Sequence, residues 1–148
     1  MVWKPHVTVA ALAERNGHFL LVEEEIGGQR VLNQPAGHLE PGETLQQAVV
    51  RETREETGRD FQPLALVGIY RWANPESEQT FLRVCFAGTV SEPDPERELD
   101  PEILATTWLD PAAMRTDPNR LRSPMVLRCI DDHQAGRRYP LELLQDLG

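Results

Sequence analysis

Residues Gly37 to Gly58 read GHLEPGETLQQAVVRETREETG, a glycine-bearing loop running into an acidic helix. Thr44 and Gln47 stand at capping-box spacing, so Thr44 is the predicted N-cap; Gly58 falls where a left-handed residue closes a helix. The spacing predicts a helix from Leu45 to Thr57. At about 100° per residue, Leu45, Ala48 and Val49 mark the face that lies on a core, and Glu52, Glu55 and Glu56 continue that stripe. Carboxylates there are costly. Glu52 and Glu56 form a like-charged i,i+4 pair worth about 0.2–0.5 kcal/mol of repulsion, and acids in a last turn oppose the helix dipole by about 0.3–1 kcal/mol. A hard divalent cation removes both penalties.

Oxygen ligands gathered within one arc suit Mg²⁺ or Mn²⁺ better than zinc, since no cysteine is near and His38 is the only close histidine. Magnesium usually completes its shell with water and substrate phosphates, which points to hydrolysis of phosphate esters or anhydrides. The competing reading is a solvated acidic helix end, but a solvated face would not interrupt an apolar stripe and would carry neutralising lysines.

The same residues resemble the Nudix hydrolases, whose box G-x5-E-x7-R-E-U-x-E-E-x-G-U (U, a large aliphatic) is matched by Gly37, Glu43, Arg51, Glu52, Glu55, Glu56 and Gly58. Thr53 and Arg59 depart from it at the two aliphatic positions, which concerns helix packing rather than metal. Beyond the box, Lys4 to Ala10, Asn33 to Glu40, Leu121 to Pro124 and Arg138 to Glu142 resemble the NudJ-type phosphatases within that family. The resemblance implies an α/β fold, the Nudix α/β/α sandwich with a mixed sheet. It implies Mg²⁺-dependent hydrolysis of hydroxymethylpyrimidine pyrophosphate, thiamine pyrophosphate and nucleoside di- and triphosphates, with release of orthophosphate. It also implies that Gly37 contributes a backbone carbonyl to the metal shell formed by Glu52, Glu55 and Glu56. The alternatives are a Nudix pyrophosphohydrolase acting on another nucleoside diphosphate-linked or damaged nucleotide, and a Nudix-fold binding module that has lost catalysis. Intact Glu52, Glu55 and Glu56 speak against the silent module.

Around the box, Val7, Val9 and Ala11 alternate into Asn16-Gly17 and then His18 to Glu23, a β-hairpin. Val31 to Asn33, Leu64 to Trp72, Thr80 to Val90 and Ile103 to Leu109 read as further strands, and Pro35 to Gly42 as a loop. Ser91 to Pro101 is an acidic, proline-rich surface loop. Asp110-Pro111 opens a short helix and Ser123-Pro124 a longer one, with Val126, Leu127 and Ile130 inward and Gly136 at its end. Strands mixed with two substantial helices give an α/β layered domain.

The chain has 148 residues, 40% hydrophobic, which fits one domain over residues 1–148. A net charge of −9 argues against a nucleic-acid polymer as partner but not against a small phosphorylated substrate, because a bound cation inverts the local field. No run approaches a membrane span and the N-terminus lacks a signal-peptide core, so the expectation is a cytoplasmic protein without a membrane partner. Cys85 and Cys129 are read as buried reduced thiols. Sequence leaves the oligomeric state open.

Arg51, one turn before Glu55, is assigned to orient a ligating carboxylate, paired with Glu43 or Glu55. The general base is one of Glu52, Glu55 and Glu56, or a later acid such as Glu98 or Glu102. Arg83, Lys4 and His6 lie on strands that the resemblance places around the cleft, and are candidate phosphate contacts. Tyr70 and Trp72 share strand parity and are candidate stacking partners for a flat ring, against a reading as plain core. The Glu23-Glu24-Glu25 run is read as a solvated edge.

Overall fold

Asn16 and Gly17, at φ 51° and 79°, make the tight turn that folds the first hairpin in the computed structural model, which describes residues 1–148. The hairpin joins β1 (His6–Arg15) to β2 (His18–Ile26). The remaining elements are β3 (Gln29–Asn33), β4 (Ala36–His38), α1 (Leu45–Thr57), β5 (Phe61–Ala73), β6 (Thr80–Val90), β7 (Ile103–Leu109), α2 (Pro111–Thr116) and α3 (Met125–Gln134).

Strand β1 is the hub. It runs parallel to β6, with Thr8 opposite Arg83, and antiparallel to β4, with Val9 opposite Gly37. β5 closes that side antiparallel to β6, while β2 carries β3 and β7 as an antiparallel wing. The sheet is therefore mixed, with helices on both faces. Val9, Ala11, Val84 and Phe86 meet Ala48 and Val49 of α1; Leu12, Cys85 and Ala87 meet Val126, Cys129 and Ile130 of α3. Covering both faces explains why β1 is apolar at successive positions instead of alternating. Both cysteines are buried and unbridged.

The helix that carries the box begins and ends where its caps place it. Thr44 Oγ1 accepts from Gln47 N at 3.1 Å, Gln47 Oε1 accepts from Thr44 N at 2.9 Å, and Gly58 adopts φ 72°. Such a cap is worth about 0.5–2 kcal/mol. Asp110 caps α2 in the same way, accepting from Ala113 N at 2.7 Å. The two departures from the box are absorbed locally. Thr53 is buried and donates to Val49 O at 2.8 Å, so a β-branched side chain fills the aliphatic place and satisfies its hydroxyl. Arg59 is also buried, donating to Ser91 O and lying 5.3 Å from the Trp108 ring centroid.

One segment differs from the sequence reading. Ala36 to His38 is a strand, because its backbone pairs with β1, a partner that three residues without periodicity do not announce. No helix is long and apolar enough to cross a membrane.

Candidate active site

β4 lays its backbone across the acidic end of α1, and the two build one wall of a cleft of about 420 Å³. Gly37 is the point of contact. A Cβ there would lie 2.1 Å from Cδ of Glu52, so the residue is glycine for close approach; the positive φ that turns the loop belongs to Gly42, at 82°.

Arg51 organises the carboxylates. Its Nε and Nη2 donate to the two oxygens of Glu43 at 2.9 and 2.7 Å, its Nη1 to Glu52 at 2.8 Å and Glu55 at 3.2 Å, and Nη2 also to His38 O at 3.0 Å. Both of the partners expected for it are present, and Glu52 and a β4 carbonyl are added. Glu43 accepts in turn from Glu40 N at 2.8 Å, and the guanidinium hydrogen bond holds its carboxyl below the usual range.

The three helix carboxylates are not equivalent. Glu56 is 6% exposed and accepts from Ala36 N at 2.9 Å; burial, with smaller contributions from Glu52, Glu24 and Asp100, pushes its pKa up to about 9 in the metal-free protein. Glu52 is also raised by burial, against the opposing pull of Arg51. Glu55 lies at the rim, its side chain 42% exposed.

Asp100, rather than Glu56, is the third carboxylate of the close group, Glu56 being turned to the Ala36 N–H. Glu52, Glu55 and Asp100 each bring a carboxylate oxygen within 4.8 Å of the others, and the Asp100 N–H donates to Glu55 O at 2.9 Å, tying the Ser91 to Pro101 loop to the helix. The donors are all oxygen, clustered beside a glycine whose missing side chain keeps the space open. That set fits a hard cation of the Mg²⁺ or Mn²⁺ kind.

The same cleft also holds cations. Arg83 is 4% exposed and donates to Gln34 Oε1 at 2.9 Å and Asn33 Oδ1 at 3.3 Å, both neutral, while its Nε has no partner. A buried guanidinium without a carboxylate is expensive, and burial lowers its pKa. The hydroxyl of Thr8, opposite it on β1, is also unpartnered. Arg122 lines the same cavity, paired with Glu24.

Glu24 corrects the reading of the acidic run. It is buried rather than solvated, because β2 stays regular through Glu24, paired with β3 and β7 on its two edges, and the parity of Leu20 and Val22 carries its side chain to the cleft. Glu102 lines the cleft and Glu98 does not. His6 touches the edge of the site through His38, at 3.2 Å, whereas Lys4 is exposed and outside the lining. Trp72 lines the cleft, stacked on Phe81 with centroids 6.0 Å apart. Tyr70 does not join it there: its hydroxyl donates to Asp132 at 2.8 Å and its ring packs on the core beneath α3.

Asp100 was not singled out by sequence, Glu24 was read as solvated, and Arg122 entered only within the Leu121 to Pro124 resemblance, with no role. Parity along β2, where Leu20, Val22 and Glu24 share a face, is the one signal that could have found Glu24.

The family model for the NUDIX domain matches residues 3–128. The phosphatase NudJ of Escherichia coli strain K12 is 42% identical over 145 residues, covering 98% of this chain and 94% of that protein. A Nudix hydrolase structure from Nitrosomonas europaea superposes with a TM-score of 0.94 at 48% identity, covering 97% of each chain. The solution structure of the E. coli ORF135 protein gives a TM-score of 0.69 at 25% identity, over 90% of this chain and 94% of that one.

Proposed function

The chain belongs to the Nudix hydrolases, and from that premise we propose that it is a Mg²⁺-dependent phosphatase that removes terminal orthophosphate from diphosphates and triphosphates of flat heteroaromatic alcohols. Hydroxymethylpyrimidine pyrophosphate, thiamine pyrophosphate and nucleoside di- and triphosphates are the substrates in view. The observation that carries this reading is the pairing of an oxygen-only acidic cluster with a buried, carboxylate-free Arg83 in one cleft. The two halves complement the alternating cation and anion needs of a metal-bound phosphate chain.

Glu52, Glu55, Glu56 and Asp100 would hold the cation, with the Gly37 carbonyl as a further donor. When bound, it supplies Lewis-acid stabilisation of the phosphoryl oxygens and a more acidic water. Arg51 fixes the ligating rotamers of Glu52 and Glu55 before substrate arrives, so little reorganisation is left for the reaction. Arg83 and the Thr8 hydroxyl, in the same cleft, bind phosphate oxygens, and negative charge developing there meets a guanidinium already desolvated. Of the two cleft carboxylates outside both the acidic cluster and the Arg122 pair, Glu40 is ion-paired with Arg51, which leaves Glu102 to take the proton from the attacking water. Trp72 offers a stacking face to the leaving group, an interaction that tolerates many rings.

Incubation of the protein with thiamine pyrophosphate, GDP and GTP, with Mg²⁺ or EDTA, tests the proposal. Orthophosphate released only with Mg²⁺ is expected. Predominant pyrophosphate from GTP would place the chain with the pyrophosphohydrolases instead.

A further inference from the structure

Beside the cleft, between β5 and α3, lies a larger cavity of about 770 Å³, and Trp72 and Met125 line both. Its chemistry is the reverse of the acidic wall. Arg71, Arg128 and Arg137 line it, with Asp132 as the one carboxylate, in a chain whose net charge is −9.

Asp132 acts as an anchor. It is 8% exposed, accepts from the Tyr70 hydroxyl at 2.8 Å and from Arg128 Nε at 3.1 Å, and lies 3.7 Å from Arg137 Nε. Arg128 is hydrogen-bonded and Arg137 ion-paired through the Nε edge, so the terminal amino groups of both face away from Asp132, on side chains 61% and 54% exposed. One buried carboxylate thus positions two arginines, and with Arg71 the lining carries more positive charge than it neutralises.

We propose that this hollow is a second anion subsite, which receives a phosphate carried on the leaving group, remote from the anhydride that is cut. The ligand class is a nucleoside 5′-diphosphate phosphorylated on its sugar as well. Trp72, at the boundary of the two cavities, seats the ring between the two anionic ends. A phosphate suits the site better than a carboxylate: two pre-positioned forks match its several oxygens, and a dianion balances the excess charge. The proposal rests on the reading of the cleft as a phosphate-anhydride site.

Calorimetric titration with adenosine 3′,5′-bisphosphate and adenosine 5′-monophosphate, in Mg²⁺, tests it without turnover. The wild-type protein is expected to bind the bisphosphate at least about tenfold more tightly. In the R128Q/R137Q double variant, whose altered side chains are more than half exposed, that advantage should shrink to within about twofold. Equal affinities in the wild type, failure of both nucleotides to bind, or an advantage that survives in the variant would overturn the proposal. Turnover of thiamine pyrophosphate, GDP and GTP, assayed on the same preparation, judges the phosphatase reading separately: if all three are inert while the binding ratio is intact, that reading fails and the subsite stands as an anion-binding site.

Discussion

Gly37 and Glu52 compete for one volume: a Cβ on the glycine would lie 2.1 Å from Cδ of the glutamate and 2.3 and 2.4 Å from its two oxygens. The strand is held in place by its pairing with β1, so the side chain must yield. Gly37→Ala is therefore expected to move a ligating carboxylate while leaving the fold intact. Displacing such a group costs about 10–100-fold in metal affinity. Melting curves across a Mg²⁺ titration check this, since an ion that binds only the folded site raises Tm by mass action. A Mg²⁺ midpoint unchanged from wild type would show that Glu52 is not a ligand.

Arg51→Lys should be nearly as damaging despite conserving charge. The guanidinium reaches both oxygens of Glu43, one each of Glu52 and Glu55, and the His38 carbonyl at the same time. An ammonium has three donors and no fork. The expected outcome is a fall of about 10–100-fold in Mg²⁺ affinity with a smaller change in Tm of the metal-free protein. Equal losses in both measurements would make Arg51 a structural residue only.

The acidic helix was legible because its evidence is local. Caps, period and glycine spacing lie within Gly37 to Gly58, and the observed bounds of α1 coincide with the expected Leu45 to Thr57. The hairpin turn at Asn16-Gly17 was legible for the same reason. Asp100 was not, because it reaches the cleft through a long-range event, a backbone hydrogen bond from a loop to Glu55. Glu24 follows the parity of β2, but only the pairing of β2 with both β3 and β7 makes that end of the strand interior rather than a solvated edge. Tyr70 shows the limit of parity arguments. Its ring does share a side with Trp72, but an Asp132 on a distant helix decides where the hydroxyl goes.

Glu56 makes the metal-free protein pH-sensitive in a direction opposite to most carboxylates. Its pKa stands at about 9 in the folded chain because of burial, against about 4.3 in an unfolded one. Between those values the native state holds a proton that the unfolded state has lost, so stability decreases as pH rises through that window. Urea unfolding in EDTA at pH 6 and pH 8.5 should give the lower midpoint at pH 8.5, and Glu56→Gln should flatten the difference. Saturating Mg²⁺ should reverse the trend, because binding requires the carboxylate to be deprotonated. A metal-free protein equally stable at both pH values would contradict the buried, protonated state.

Arg83 is placed where function and stability pull apart. It is buried, its two hydrogen-bond partners are neutral, and its Nε is unpartnered, so the folded protein carries a charge it does not neutralise. Arg83→Met removes that charge while keeping the length of the side chain. The carbonyl oxygens of Gln34 and Asn33 lose a donor, a cost of about 1–3 kcal/mol each if they find no other, against a desolvation penalty of several kcal/mol for the ion. The expected result is a Tm equal to or above that of the wild type together with a fall of at least about a hundredfold in kcat/KM, the loss associated with one charged contact in a desolvated site. Inorganic phosphate, added with Mg²⁺, should raise the Tm of the wild type and leave the variant unmoved. If phosphate stabilises both proteins alike, the anion is held elsewhere and the uncompensated charge of Arg83 has another cause.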